Sequence, residues 1–216
     1  MRAWKTISLC LALACLLACA AWADAPGGAV RVLHVEGTID PATAGYIIRG
    51  LQQANSAGDG LVLIELDTPG GLVDATKDII KEMLRSRVPV AVYVSPEGAM
   101  AASAGTYITV AAQIAAMAPT THIGSATPVS GEGHDLQRKF TYALSSYMKT
   151  LAERRGRNAQ WAVKAVTQGI SATEHEALKL KVIDLIAPDR ATLLKKIDGR
   201  KVDAAGQQVV LRTKGA

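Results

Sequence analysis

Short apolar runs and amphipathic stretches take turns along most of this chain. Val30 to Val35, Leu61 to Leu66, Val88 to Val94 and Ile114 to Met117 are mostly apolar at successive positions, the pattern of strands buried on both faces. Between these runs the period becomes helical. Pro41 to Ala54 opens behind Asp40, with proline where a first helical residue has no N–H to lose, and the turn residues from Asn55 to Gly60 close it. Leu72 to Arg85 sets Val73, Ile79, Ile80, Met83 and Leu84 largely on one face, with Asp74 in the first turn and Arg85 in the last, each charge suiting the helix dipole. Strand and helix alternating in this way predict an α/β fold, a mainly parallel sheet flanked by helices. In such folds the loops at the carboxyl ends of the strands carry the site.

The second half continues the pattern. A helix from Leu136 to Arg155 shows Phe140, Leu144, Tyr147, Met148 and Leu151 on its apolar face, and another runs from Asn158 to Gln168. Ser171-x-x-Glu174 and Thr173-x-x-Glu176 both fit a capping box for the next helix. Val182 to Ile186 reads as a last core strand, Arg190 to Ile197 as a surface helix, and Lys201 to Thr213 as a hairpin turning at Ala204-Ala205-Gly206. One stretch competes with this account. Gly98 to Gly131 has no Asp, Glu, Lys or Arg, and Gly98 to Met117 is long enough to read as a membrane span. Ser103, Gly105, Thr106, Thr109 and Gln113 argue instead for a helix from Ser103 to Ala112 and a strand ending before Pro119.

The first 23 residues read as a signal peptide. Arg2 and Lys5 form a basic start, Thr6 to Ala20 is almost wholly apolar, and Ala21-Trp22-Ala23 fits a small-x-small cleavage site, so the expected mature chain is one domain from Asp24 to Ala216. Two rival readings are a lipoprotein leader, leaving a lipidated Cys19 as the new N-terminus, and an uncleaved anchor. All three place the domain outside the cytoplasm, in the periplasm or at the extracytoplasmic face of a membrane. Cys10, Cys15 and Cys19 all lie in the leader, which excludes thiol nucleophiles and cysteine-ligated metals from the domain. The whole chain has 24 basic and 19 acidic side chains, and losing Arg2 and Lys5 leaves a balance of +3. That is too small to indicate nucleic acid, and Arg154-Arg155-Gly156-Arg157 reads as a solvated helix end.

Chemistry gathers in two motifs, each following a predicted buried strand. Asp67-Thr68-Pro69-Gly70-Gly71 offers bare backbone amides, because glycine lets a substrate carbonyl approach unshielded N–H groups. Ala101-Ala102-Ser103-Ala104-Gly105 offers a reachable hydroxyl at the start of an apolar helix, whose N-terminus favours developing negative charge. The plain alternative is that Ser103 only caps a helix and that the glycines only turn the chain. Taken as a pair in this order, they suggest acyl transfer.

The order IELDTPGGL, AASAGTYI, MAPTTHIGSATPV, then a helix with Tyr147-Met148-Lys149-Thr150-Leu151-Ala152 and Gly156-Arg157-Asn158-Ala159, resembles the protease domain of the NfeD-type membrane-bound serine peptidases. These belong to the Clp-protease superfamily, and the resemblance spans roughly Val30 to Pro188. It implies a Clp/crotonase-like spiral fold and endopeptidase activity through a Ser–Lys dyad without metal or organic cofactor. It also implies a homodimer and a hydrophobic substrate, notably the C-terminal region of stomatin-family membrane proteins. Carried over by position, Ser103 matches the nucleophile, Lys139 the general base, Gly70 and Gly71 the oxyanion-hole turn, and Ala104 adds the next N–H.

Where Ser–His–Asp members of the superfamily carry their histidine, this chain has Ala126, and His122 and His134 are out of register. Lys149 is a second lysine on the same helix as Lys139, read as solvated. The chain also has Lys181 where the superfamily has glycine after the helix before the last strand, a position where a left-handed cap would cost lysine up to about 1 kcal/mol. Two other classes fit parts of the pattern. A crotonase-like enzyme would use similar paired amides, leaving Ser103 and Lys139 idle, and a non-catalytic module would grip a hydrophobic tail in the same groove.

Overall fold

The computed structural model describes residues 28–129 and 134–215; the leader and the loop at 130–133 lie outside the described residues. Five strands form one parallel sheet in the order β1-β2-β3-β5-β8: β1 (Val30–Glu36), β2 (Leu61–Asp67), β3 (Val90–Val94), β5 (Ile114–Met117) and β8 (Leu185–Ile186). A smaller sheet joins β4 (Met100–Ala102) to β6 (His122–Gly124) in parallel and β6 to β7 (Ser171–Thr173) antiparallel. The predicted parallel sheet flanked by helices is what the chain forms.

Burial on both faces explains the unbroken apolar runs. Along β2, Val62, Ile64 and Leu66 join one core while Leu61 and Leu63 join the other, and Val92 and Tyr93 divide in the same way on β3. The larger core lies under six helices: α1 (Pro41–Ala57), α2 (Val73–Arg85), α3 (Ala104–Ala111), α4 (His134–Arg154), α5 (Ala159–Thr167) and α6 (Glu174–Lys179). The smaller core is covered by α7 (Arg190–Ile197) and the β9 (Lys201–Ala204) and β10 (Gln207–Val210) hairpin. The helix expected at the surface thus has a buried side, with Leu193, Leu194 and Ile197 inside.

Helix boundaries follow local chemistry. The Asp40 carboxylate accepts the Thr43 N–H at 2.8 Å, and the Asn158 side chain accepts from Trp161 N at 2.9 Å. Of the two candidate capping boxes, Thr173 with Glu176 forms, because the Ser171 hydroxyl is bonded to that of Ser125 and the Glu174 carboxylate accepts from Thr120 N. Lys181 takes the left-handed conformation, φ 59°, where the superfamily's glycine would sit without strain. Only Leu185 and Ile186 of the expected last strand pair with β5; Val182 and Ile183 are buried in the approach to it.

Gly98 to Met117 forms β4, α3 and β5 in succession, the helix and strand expected rather than the competing span, and its lack of charge follows from burial inside the domain. No helix among the described residues is long and apolar enough to cross a membrane. The arginines after α4 are not a solvated end. Arg157 is buried and donates through Nη1 to the carbonyls of Val110 at 2.9 Å and Ala112 at 2.8 Å, and through Nη2 to Asp184 at 2.6 Å. Arg155 Nε donates to Ala111 O at 2.7 Å. These cations occupy the carboxyl end of α3, a helix distant in sequence, where the dipole favours them. Burial lowers the Arg155 guanidinium to about 10, so it stays charged at neutral pH.

Candidate active site

β4, missed in the sequence, is what joins the two motifs. Thr68 N donates to Met100 O at 2.8 Å, Ala102 N donates to Thr68 O at 3.0 Å, and Met100 N reaches the Asp67 carboxylate at 2.9 Å. The DTPGG turn is therefore stitched edge to edge against the strand that delivers Ser103. Glycine is required at both contacts. A Cβ on Gly70 would lie 2.6 Å from Ser103 Cβ, and one on Gly105 would lie 2.6 Å from Thr68 Cγ2.

Ser103 stands between β4 and α3 at φ 49° and ψ −113°. Its amide donates to Gly124 O at 3.0 Å, and Thr106 Oγ1 donates within hydrogen-bond distance of both Ala101 O and Gly124 O, so the turn is held from three sides. Serine seldom adopts a positive φ, and such strain persists only where neighbours over-determine it. The hydroxyl makes no capping bond to the helix it precedes, and among the described residues it has no hydrogen-bond partner. Capping does not explain this serine.

The amides around Ser103 are not equivalent. Gly70 N donates to Thr68 Oγ1 at 3.1 Å, and Gly70 O accepts from Ile39 N at 2.8 Å, so this residue is committed to shaping the turn. The N–H groups of Gly71 and Ala104 have no acceptor among the described residues and stand on the lining of the same cleft as Ser103. That cleft is small and mostly apolar. About 30 Å³ of it admits a water-sized group, and Val73, Tyr107, Ala126, Leu144 and Tyr147 wall it. Tyr107 and Tyr147 stack with ring centroids 6.4 Å apart, and burial raises both phenols above their ordinary range.

The structure brings Ser103, Gly71 and Ala104 together and leaves Lys139 apart. Lys139 is exposed on α4, is not among the residues lining the cleft, and makes no hydrogen bond to Ser103. Two residues before it, the Gln137 side chain donates to the carbonyl of Pro128, and Pro128 lines the cleft. The first turns of α4 therefore run along the rim. Lys149 is exposed and pairs with Glu153 at 3.7 Å. His122 lies in β6 away from the cleft lining, while the side chain of His134 lies outside the described residues. Lys77, which sequence reasoning passed over, does line the cleft; its only signal was its spacing from Val73, one turn earlier on α2.

The profile of the NfeD1b N-terminal domain family matches residues 29–207. This chain belongs to that family. Over 189 residues it is 39% identical to the membrane-bound protease PH1510 of Pyrococcus horikoshii, covering 84% of this chain but 43% of the relative, so it spans less than half of that protein's length. Among solved structures, a serine-to-alanine mutant of the 1510-N membrane-bound stomatin-specific protease superposes with a TM-score of 0.84 at 37% identity, covering 89% of this chain and 96% of the other. A lysine-to-alanine mutant of the same protease, in complex with a substrate peptide, gives 0.81 at 37% identity, covering 87% and 89%. The family's fold therefore extends over nearly all the described residues, and the relative is a membrane-bound protein.

Proposed function

We propose that this chain is a serine endopeptidase that cleaves apolar segments, the C-terminal regions of stomatin-family membrane proteins among them, with Ser103 as nucleophile and Lys139 as general base. The observation that carries the reading is a Ser103 hydroxyl on a strained turn that, like the amides of Gly71 and Ala104 in the same cleft, has no hydrogen-bond partner among the described residues. Relatives of this sequence and fold are a protease and its serine and lysine mutants, which supports the dyad.

In this mechanism Ser103 Oγ bonds to the scissile carbonyl carbon and passes its proton to the neutral Lys139 amine. The oxyanion is held by the N–H groups of Gly71 and Ala104 at the amino end of α3, while Gly70 lends space rather than a donor. The C–N bond then breaks as the Lys139 ammonium returns the proton to the leaving amine. Water hydrolyses the serine ester and regenerates the hydroxyl. Lys139 joins Ser103 when substrate covers the cleft, as catalytic hydrogen bonds often tighten only in the complex. The site works from the extracytoplasmic side, in a protein that self-associates.

Ser103→Ala tests the reading. It should abolish cleavage of an apolar stomatin-tail peptide, followed by mass spectrometry, while circular dichroism and peptide binding stay unchanged. Cleavage by this variant at the wild-type rate would refute it.

A further inference from the structure

We infer that Lys77 reads a carboxylate on the substrate, so that the cleft favours apolar peptides bearing a negative charge close to the scissile bond. The inference rests on the peptidase reading above. Lys77 lies one turn beyond Val73 on α2, and both side chains line the cleft that holds Ser103. Among the described residues no Asp or Glu lines that cleft, and Lys77 is the charged group facing an otherwise small, apolar or aromatic surface. It is half-buried and has no ion pair or hydrogen bond among the described residues.

Its neighbours sharpen the point. Asp78, the next residue, is taken by Lys81 at 2.9 Å, and Asp74, three residues back, is not paired with Lys77. Elsewhere Lys149 pairs with Glu153, and Lys196 donates to Ile186 O at 2.8 Å. A half-buried ammonium among weakly polar groups attracts a counter-ion more strongly than one in open water. The long stem can lie along Val73 while the head meets an incoming anion. Because the Gly71 and Ala104 amides take the scissile carbonyl, the anion Lys77 meets is a second group on the peptide. A carboxylate there has two sources: an acidic side chain near the scissile bond, or a free C-terminus.

Binding separates these sources without turnover. Ser103→Ala protein is titrated by fluorescence anisotropy with an amidated neutral apolar peptide, with versions carrying one Glu at each position flanking the scissile bond, and with a version ending in a free carboxylate. At least one carboxylate peptide should bind about tenfold tighter than the neutral one, in line with a single charge-assisted hydrogen bond. Which version gains names the source. That ratio should fall to near one when Lys77→Met is added and persist when Lys77→Arg is added instead. A ratio near one in the parent protein, or one that survives Lys77→Met, would overturn the inference. Because binding is read here, loss of charge selectivity faults Lys77, whereas absence of cleavage by the wild-type protein faults the peptidase reading.

Discussion

Lys139 and Ser103 make unequal demands on their surroundings. The serine needs only to be held still, and the bond from its amide to Gly124 O, with Thr106 bracing the turn, does that. In the proposed dyad the lysine accepts the serine proton only as a neutral amine. Activity should therefore climb along one ionisation above the histidine range, and Lys139→Ala should remove that limb with nearly all turnover. Lys139→Arg should not restore it, since a guanidinium stays protonated at any usable pH. Initial rates between pH 6 and 10 check this. A limb near the ordinary histidine value of about 6.5, lost in His122→Ala while Lys139→Ala still turns over, would show the base to be a histidine.

Helix α3 connects catalysis to stability at the scale of elements. Its amino end presents the Ala104 N–H beside Ser103, and its carboxyl end is closed by Arg155 and Arg157, with Asp184 bridging Arg157 Nη2 and Ala115 N. Removing Arg157 strands the partly exposed Asp184 carboxylate and leaves the Val110 and Ala112 carbonyls without this donor. Arg157→Met should lower the unfolding free energy by about 3 kcal/mol, measured by urea titration. A change within about 0.5 kcal/mol, the range of an ordinary surface substitution, would contradict the role assigned to it. This clamp also shows where sequence reading stopped. The strands of the main sheet and helices α1, α2 and α4 were legible because period and caps are local signals. Strand β4 was not, since three residues beside a loop have too little pattern to stand out, and its pairing with Thr68 is a tertiary fact. Arg155 and Arg157 misled for the same reason: a basic cluster after a helix usually faces water, and only the fold brings the α3 carbonyls to it. At the site, Ser103 and the glycine turn were readable from residue type and order. The commitment of the Gly70 amide to Thr68, and the presence of Lys77 in the cleft, depend on how the loops pack.

Across the whole molecule, the uncharged run from Gly98 to Met117 that competed as a membrane span lies largely in the protein's own core. Large apolar side chains left exposed include Leu72 beside the glycine turn, Val129, and Leu136 and Tyr142 on α4. Apolar surface of this kind suits self-association, and light scattering should find a dimer that Tyr142→Glu weakens. A wild-type monomer at high concentration would contradict it. The central claim, that Ser103 forms a covalent bond to substrate, is tested most directly by trapping the intermediate. Protein incubated with an apolar peptide is quenched in acid and digested, and the fragment containing Ser103 is weighed by mass spectrometry. The account predicts an added mass equal to the N-terminal portion of the cleaved peptide, carried on Ser103 and absent from Ser103→Ala. Product formation with no adduct in the wild type, together with undiminished cleavage by Ser103→Ala, would contradict it.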